Sequence, residues 1–210
     1  MQLGDIMAGS ATPAIWVRQY LDVRQYLGLS ALMFSALLFV GLSNPARAES
    51  PVAFMDKVAR ELVNASRSPS VSGFAAVIHR YADTGYIGSY SLGTYRARLS
   101  SRDKPGYLSG MVRFIGRYAA TEAPKYPVAN YRIKGALRGG QGIMVDSVVT
   151  LRNGTSYDVR WLLTRRGGSY RVRDAMVYGF WMLPFLKRLF ETYISENGGN
   201  VGALVTALNR

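Results

Sequence analysis

The sequence predicts an α+β domain: N-terminal and C-terminal helices packed on one side of a curved four-stranded antiparallel meander sheet. Three observations predict it. Apolar residues recur at threes and fours between Ser50 and Ala119, the period drops to two from Asn130 to Tyr178 across three glycine-marked turns, and helical spacing returns after Gly179. Runs of helix, then strand, then helix give segregated layers rather than alternating βαβ units.

The first helix is expected from Ser50 to about Ser66, with Ser50 as cap, Pro51 in the first turn, and Val52, Met55, Val58, Ala59, Leu62 and Val63 on one stripe. Ser68-Pro69-Ser70 breaks it. A second helix carries Phe74, Val77, Ile78 and Tyr81, and a third spans Tyr86 to Tyr95 despite its glycines. After Ser101 to Gly106 a fourth presents Leu108, Met111, Val112, Ile115, Tyr118 and Ala119, and Pro124 and Pro127 end it. Strands follow near 130–138, 141–151, 156–165 and 169–178, separated by Gly139-Gly140, Asn153-Gly154 and Gly167-Gly168. On the third, Tyr157, Val159, Trp161 and Leu163 face one way and Asp158, Arg160 and Thr164 the other. On the fourth, Val172, Asp174 and Met176 alternate with Arg171, Arg173 and Ala175. Gly179 ends the sheet, Phe180 to Leu186 leads into a helix that runs to about Glu196, and Val201 to Leu208 closes the chain.

Residues 27–42 form a sixteen-residue apolar run, preceded by Arg18 and Arg24 and followed by Ala46-Arg47-Ala48. The run is shorter than the ~20 residues of a spanning helix, and the small residues at 46 and 48 suit cleavage before Glu49. Residues 1–48 therefore read as a secretory signal peptide and 49–210 as the mature domain, exported to the periplasm. An uncleaved inner-membrane anchor is the alternative. Without Arg18, Arg24, Arg47, Asp5 and Asp22 the mature chain keeps 23 basic and 11 acidic side chains, net +12. Such a charge is drawn to anionic surfaces, and an exported protein meets membranes before nucleic acid. No basic helix, finger or RNA-binding aromatic pattern accompanies the charge, so nucleic acid is not expected as a partner.

Zero Cys excludes thiol catalysis and thiolate metal sites, and the single His79 leaves no second imidazole for a zinc cage. His79 has no evident nucleophile or acid beside it in sequence, and no Gly-x-Ser-x-Gly elbow occurs. The glycine clusters fit neither a phosphate loop nor a dinucleotide fingerprint. No catalytic residue, no metal and no cofactor is expected.

The C-terminal half carries a more specific pattern: Tyr157-Asp158-Val159-Arg160-Trp161-Leu162-Leu163, then Gly167-Gly168-Ser169-Tyr170-Arg171-Val172-Arg173-Asp174-Ala175-Met176-Val177-Tyr178-Gly179, a helix ending Tyr193 to Gly199, and a last Leu204 to Leu208. In this order the motifs resemble the MlaC family, periplasmic phospholipid-binding proteins of toluene-tolerance type. Ser91-Leu92-Gly93-Thr94-Tyr95-Arg96 is similar to that family's Leu-Gly-x-Tyr-Trp element, and the resemblance covers about residues 71–208. The chain departs from the family at Tyr178, where an acid is usual, and at Leu183-Pro184-Phe185, where a polar segment is usual. The resemblance implies a non-enzymatic shuttle that moves phospholipid between an outer-membrane lipoprotein complex and an inner-membrane ABC transporter, maintaining outer-membrane asymmetry. A hopanoid-associated relative has a similar layout, so another lipid is compatible with it.

For such a carrier the inward-facing candidates are Ile78, Leu92, Met111, Ile115, Val145, Val149, Val159, Trp161, Val172, Met176 and Phe180, with Arg160, Arg171 and Arg173 as headgroup or mouth residues. The same spacing also suits a filled core and a solvated sheet face. With a filled core the chain would be an exported interaction or scaffold protein that uses Phe180 to Phe185 for contact. A third reading, an envelope hydrolase, requires His79 beside a buried acid and a Ser or Thr.

Overall fold

A computed structural model describes residues 49–210; the expected signal peptide lies outside the described residues. Helix α1 (Pro51–Arg67) begins where Ser50 Oγ accepts the Ala53 N–H at 3.1 Å, and it buries Phe54, Met55, Val58 and Ala59. Helix α2 (Val71–Tyr81) starts on the same device, Ser70 Oγ accepting from Gly73 at 3.1 Å. Helix α3 (Thr84–Ser91) starts two residues earlier than the apolar spacing predicts, because Asp83 caps it. It also stops earlier: Gly93 at φ +51° turns the chain out into a 3-10 turn over Gly93–Arg98. Helix α4 (Lys104–Glu122) crosses α2 at Gly116, where a Cβ would lie 2.9 Å from Val71 O and 3.1 Å from Ala75 N. Only glycine allows that approach.

The sheet has five strands, not the expected four, in the order β1 (Val128–Gly139), β2 (Gly142–Leu151), β3 (Ser156–Arg166), β4 (Ser169–Val177) and β5 (Phe180–Trp181), each antiparallel to the next. The extra strand is the aromatic lead-in. Tyr178 at φ +51° and Gly179 at φ +83° make a two-residue turn with both central residues at positive φ, which folds Phe180 back onto Val177 and Trp181 onto Met176. The Tyr178 ring stacks on Tyr157 at 5.0 Å, which compensates for a backbone shape that tyrosine rarely adopts.

The strict alternation expected along β4 is also broken. Leu163 pairs with Val172 but Leu162 pairs with Asp174, so Arg173 is an extra residue in a β-bulge. Beyond it Ala175 stands opposite Trp161 and Met176 opposite Arg160. Val172 and Ala175 therefore share a face, and Met176 goes with the arginine row.

Helices α5 (Met182–Glu196) and α6 (Val201–Leu208) complete the fold. Two cores result. One joins α1 and α2 to the sheet through Phe54, Met55, Val58, Val77, Tyr81, Val145, Leu163 and Tyr170. The other is purely helical, built from Leu92, Tyr107, Met111, Val112, Phe190, Ile194, Val201, Leu204 and Leu208. Helix α2 divides them: Val77 and Tyr81 enter the first, Ala75 and Ile78 pack against the second. Inside the helical core the Tyr107 hydroxyl donates to Gly88 O at 2.9 Å and lies 3.0 Å from Ser91 Oγ, and burial pushes its pKa up to about 12. Two layers with separate cores leave a seam between them, and the candidate site lies there.

Candidate functional site

The seam opens into a cleft of about 410 Å³ between α2, α3, α4, β4 and α5, within the roughly 300–1,000 Å³ of small-molecule pockets. Ile78 and Ala82 come from the end of α2, Ile87 from α3, Phe114, Ile115 and Tyr118 from α4. The bulged segment Val172 to Ala175 forms one wall, and Met182, Leu183, Phe185, Leu186 and Leu189 form another. Every lining residue except Arg173 and Asp174 is apolar or aromatic. The rim is greasy too: Tyr118 is 61% exposed, Phe185 62% and Leu189 41%. Large side chains so exposed contribute little to the fold, and their concentration at one opening marks a contact surface for something apolar.

The two polar lining groups do structural work. Asp174 accepts the N–H of Leu183 at 2.9 Å and of Ala175 at 2.8 Å, tying the first turn of α5 to the bulge. Burial raises its carboxyl above the usual carboxylate range, and the backbone N–H groups of Leu183, Ala175 and Met182 oppose that rise. Arg173 is held from behind. Its Nε donates to Asp83 Oδ2 at 3.3 Å, and its Cζ lies 4.3 Å from the centre of the Tyr86 ring. Asp83 is 4% exposed. It also receives Arg166 Nη1 and the Tyr86 N–H, each at 3.3 Å, and its own N–H donates to Val172 O at 2.8 Å. One buried carboxylate thus joins α2, α3, β3 and β4 on one side of the cleft.

Of the residues expected from sequence, the structure brings Ile78, Ile115, Val172 and Arg173 together at the cleft. Leu92 and Met111 lie inside the helical core, and Val145 inside the sheet core. Val159 is buried, and Trp161 packs against the sheet core with its Nε1 donating to Ser147 Oγ at 3.0 Å. Val149 is half-buried opposite Tyr131 and Tyr157. Phe180 is exposed on β5. Met176 and Arg160 line a separate polar recess with Lys134, Asp146 and Asp158. There Arg160 grips Asp146 through Nε at 2.7 Å and Nη2 at 3.0 Å, which holds the Asp146 carboxyl below the usual range. Arg171 donates to the Arg80 carbonyl.

Sequence reasoning missed the α5 wall. The signal was present: Met182, Phe185, Leu186 and Leu189 follow the i, i+3, i+4, i+7 spacing of one helical face. His79 lies on a wider surface groove of about 780 Å³ with Ser72, Thr84, Ser109 and Arg113, and none of the residues lining that groove is acidic. Among the described residues no cluster of acids and His forms a metal site, and no helix is long and apolar enough to cross a membrane.

No curated protein matches the chain in sequence. In fold it is similar to the phospholipid-binding protein from Ralstonia solanacearum, whose structure was solved in complex with a phospholipid. The TM-score is 0.62 at 19% identity, over 78% of this chain and 96% of that one. The pattern that defines MlaC proteins matches residues 57–210, from the first turns of α1 through α6. With that match spanning the helical core, every wall of the cleft and all of the sheet core except Phe54 and Met55, the chain belongs to the MlaC family.

Proposed function

We propose that this protein is a periplasmic phospholipid carrier, exported by the apolar segment at 27–42, that shuttles lipid between an outer-membrane lipoprotein complex and an inner-membrane ABC transporter and so maintains outer-membrane asymmetry. The observation that carries this reading is the apolar cleft with its exposed greasy rim, wide enough at about 410 Å³ to shelter hydrocarbon. The bound phospholipid of the Ralstonia protein, on a similar fold, supports the choice of ligand.

The energetics require no catalysis. Each methylene withdrawn from water is worth about 0.8 kcal/mol, so two acyl chains with roughly 30 methylenes do not cross an aqueous gap unprotected. Bilayer and cleft wall are both apolar, so the transfer term nearly cancels for the tail surface that the cleft covers. Docking partners can then bias the remaining small difference in either direction. The protein consumes no fuel, and the net +12 charge of residues 49–210 draws it toward anionic headgroups in transient contact with a membrane surface.

Native mass spectrometry of the protein prepared from bacterial envelope without detergent tests this. The expected spectrum shows the chain plus one phospholipid. Bare chain that also fails to take up labelled phospholipid from vesicles rejects the carrier reading.

A further inference from the structure

The arginine in the cleft wall is placed unlike the others of its strand. Arg171 and Arg173 are two residues apart, and strict alternation would put both on the solvated face with Arg160. The bulge separates them: Arg160 lies with Asp146 in the outer recess, Arg171 donates to the Arg80 carbonyl, and Arg173 lines the cleft. Bulges re-aim side chains in this way, often beside a site.

Arg173 is also the one cation among the residues lining the cleft. Its guanidinium carries five N–H donors, and only the Nε–H is engaged, by Asp83; among the described residues neither Nη has a hydrogen-bond partner. Asp83 from one edge and the Tyr86 ring from one face hold the plane of the group, leaving the paired Nη atoms in a fixed fork at 29% side-chain exposure. A fork of that kind matches two oxygens of a phosphate better than a point charge would. Asp174, the other polar lining residue, turns Oδ1 to the N–H groups of Leu183 and Ala175, and among the described residues the ion pair of Arg173 is with Asp83 and not with Asp174.

We propose that Arg173, swung into the cleft by the β4 bulge and braced by Asp83 and Tyr86, anchors the phosphate of the bound lipid. This rests on the carrier reading and adds a specificity rule: the cleft prefers a phosphate-bearing lipid over one with the same tails and no phosphate. Asp83 and Tyr86 are positioning residues that act through the arginine.

The test compares phosphatidylglycerol and diacylglycerol bearing the same fluorescent acyl chain, each transferred from phosphatidylcholine vesicles. Arg173→Gln is expected to weaken phosphatidylglycerol binding about tenfold and leave diacylglycerol binding unchanged, with Arg173→Lys between the two. If Arg173→Gln fails to fold, combining it with Asp83→Asn removes both facing charges and reads the same ratio. Equal loss for both lipids, or no loss for either, overturns the anchor while the carrier reading stands. Displacement of phosphatidylglycerol by millimolar inorganic phosphate in the wild type makes this a free-anion site and overturns the headgroup assignment. Failure of the wild type to bind either lipid removes the carrier reading itself, and the anchor with it.

Discussion

Replacing Phe185 and Leu189 together by aspartate is expected to strip the protein of lipid and leave it folded. Both side chains line the cleft from α5, yet they are 62% and 41% exposed, so much of their surface is already in water and the fold gains little from them. Two carboxylates at that rim remain hydrated while the cleft is empty. An acyl chain laid over them forces their desolvation, at a cost of several kcal/mol against an apolar wall. Lipid phosphorus per mole of protein is expected to fall at least tenfold, with the melting temperature within about 3 °C of the wild type. Full occupancy in the double variant contradicts the placement of the tails. A collapse of the melting transition contradicts the assignment of these residues to the rim rather than the core.

Asp83→Leu is expected to produce the largest loss of stability outside the apolar cores. The carboxylate is buried at 4% exposure, and its removal leaves Arg173 facing an apolar side chain, uncaps α3 and loosens the tie between α3 and the bulge. Breaking a buried pair costs about 3–5 kcal/mol, but Arg166 is 73% exposed and can turn to solvent, which places the loss near the low end, about 3 kcal/mol. At roughly 2–4 °C per kcal/mol for a domain of this size, the melting temperature falls by about 6–12 °C. Adding Arg173→Leu should recover part of the loss, since the double variant no longer leaves a charge unpaired. A fall under about 1 kcal/mol shows that the network is solvated and not structural.

Most of the fold was legible because local chemistry and tertiary packing agree. Ser50 and Ser70 mark two helix starts, the glycine pair at 167–168 marks a tight turn, and α6 occupies the span its apolar spacing predicts. The fifth strand was not legible because its turn, Tyr178-Gly179, puts tyrosine at positive φ, where a sequence reader looks for Asn or Asp. The bulge was hidden for a different reason. Arg173-Asp174 puts two polar residues in a row, but that break does not say which of them is extra, and only the pairing with β3 assigns Arg173.

The cleft was half visible. Met111 and Ile115 are one helical turn apart on the same face of α4, yet the first is sealed in the helical core and the second lines the cleft. Periodicity identifies a face and carries no information on how far along the helix the neighbouring layer reaches. The same holds on α2, where Val77 and Ile78 are consecutive and enter different cores. A cavity arises where two packed layers diverge, which is a property of the layers' relative placement and is not encoded in any single segment.

The claim on which the rest depends is that hydrocarbon occupies the seam between the two cores. Photo-crosslinking with a phospholipid that carries a diazirine near the end of one acyl chain, followed by tryptic mapping, tests it most directly. The account predicts adducts on the fragments 114–117 and 174–187, which carry Phe114, Ile115, Ala175, Met182, Phe185 and Leu186. Adducts confined to fragments that do not line the cleft, such as the one containing Val145 and Val149, would contradict it.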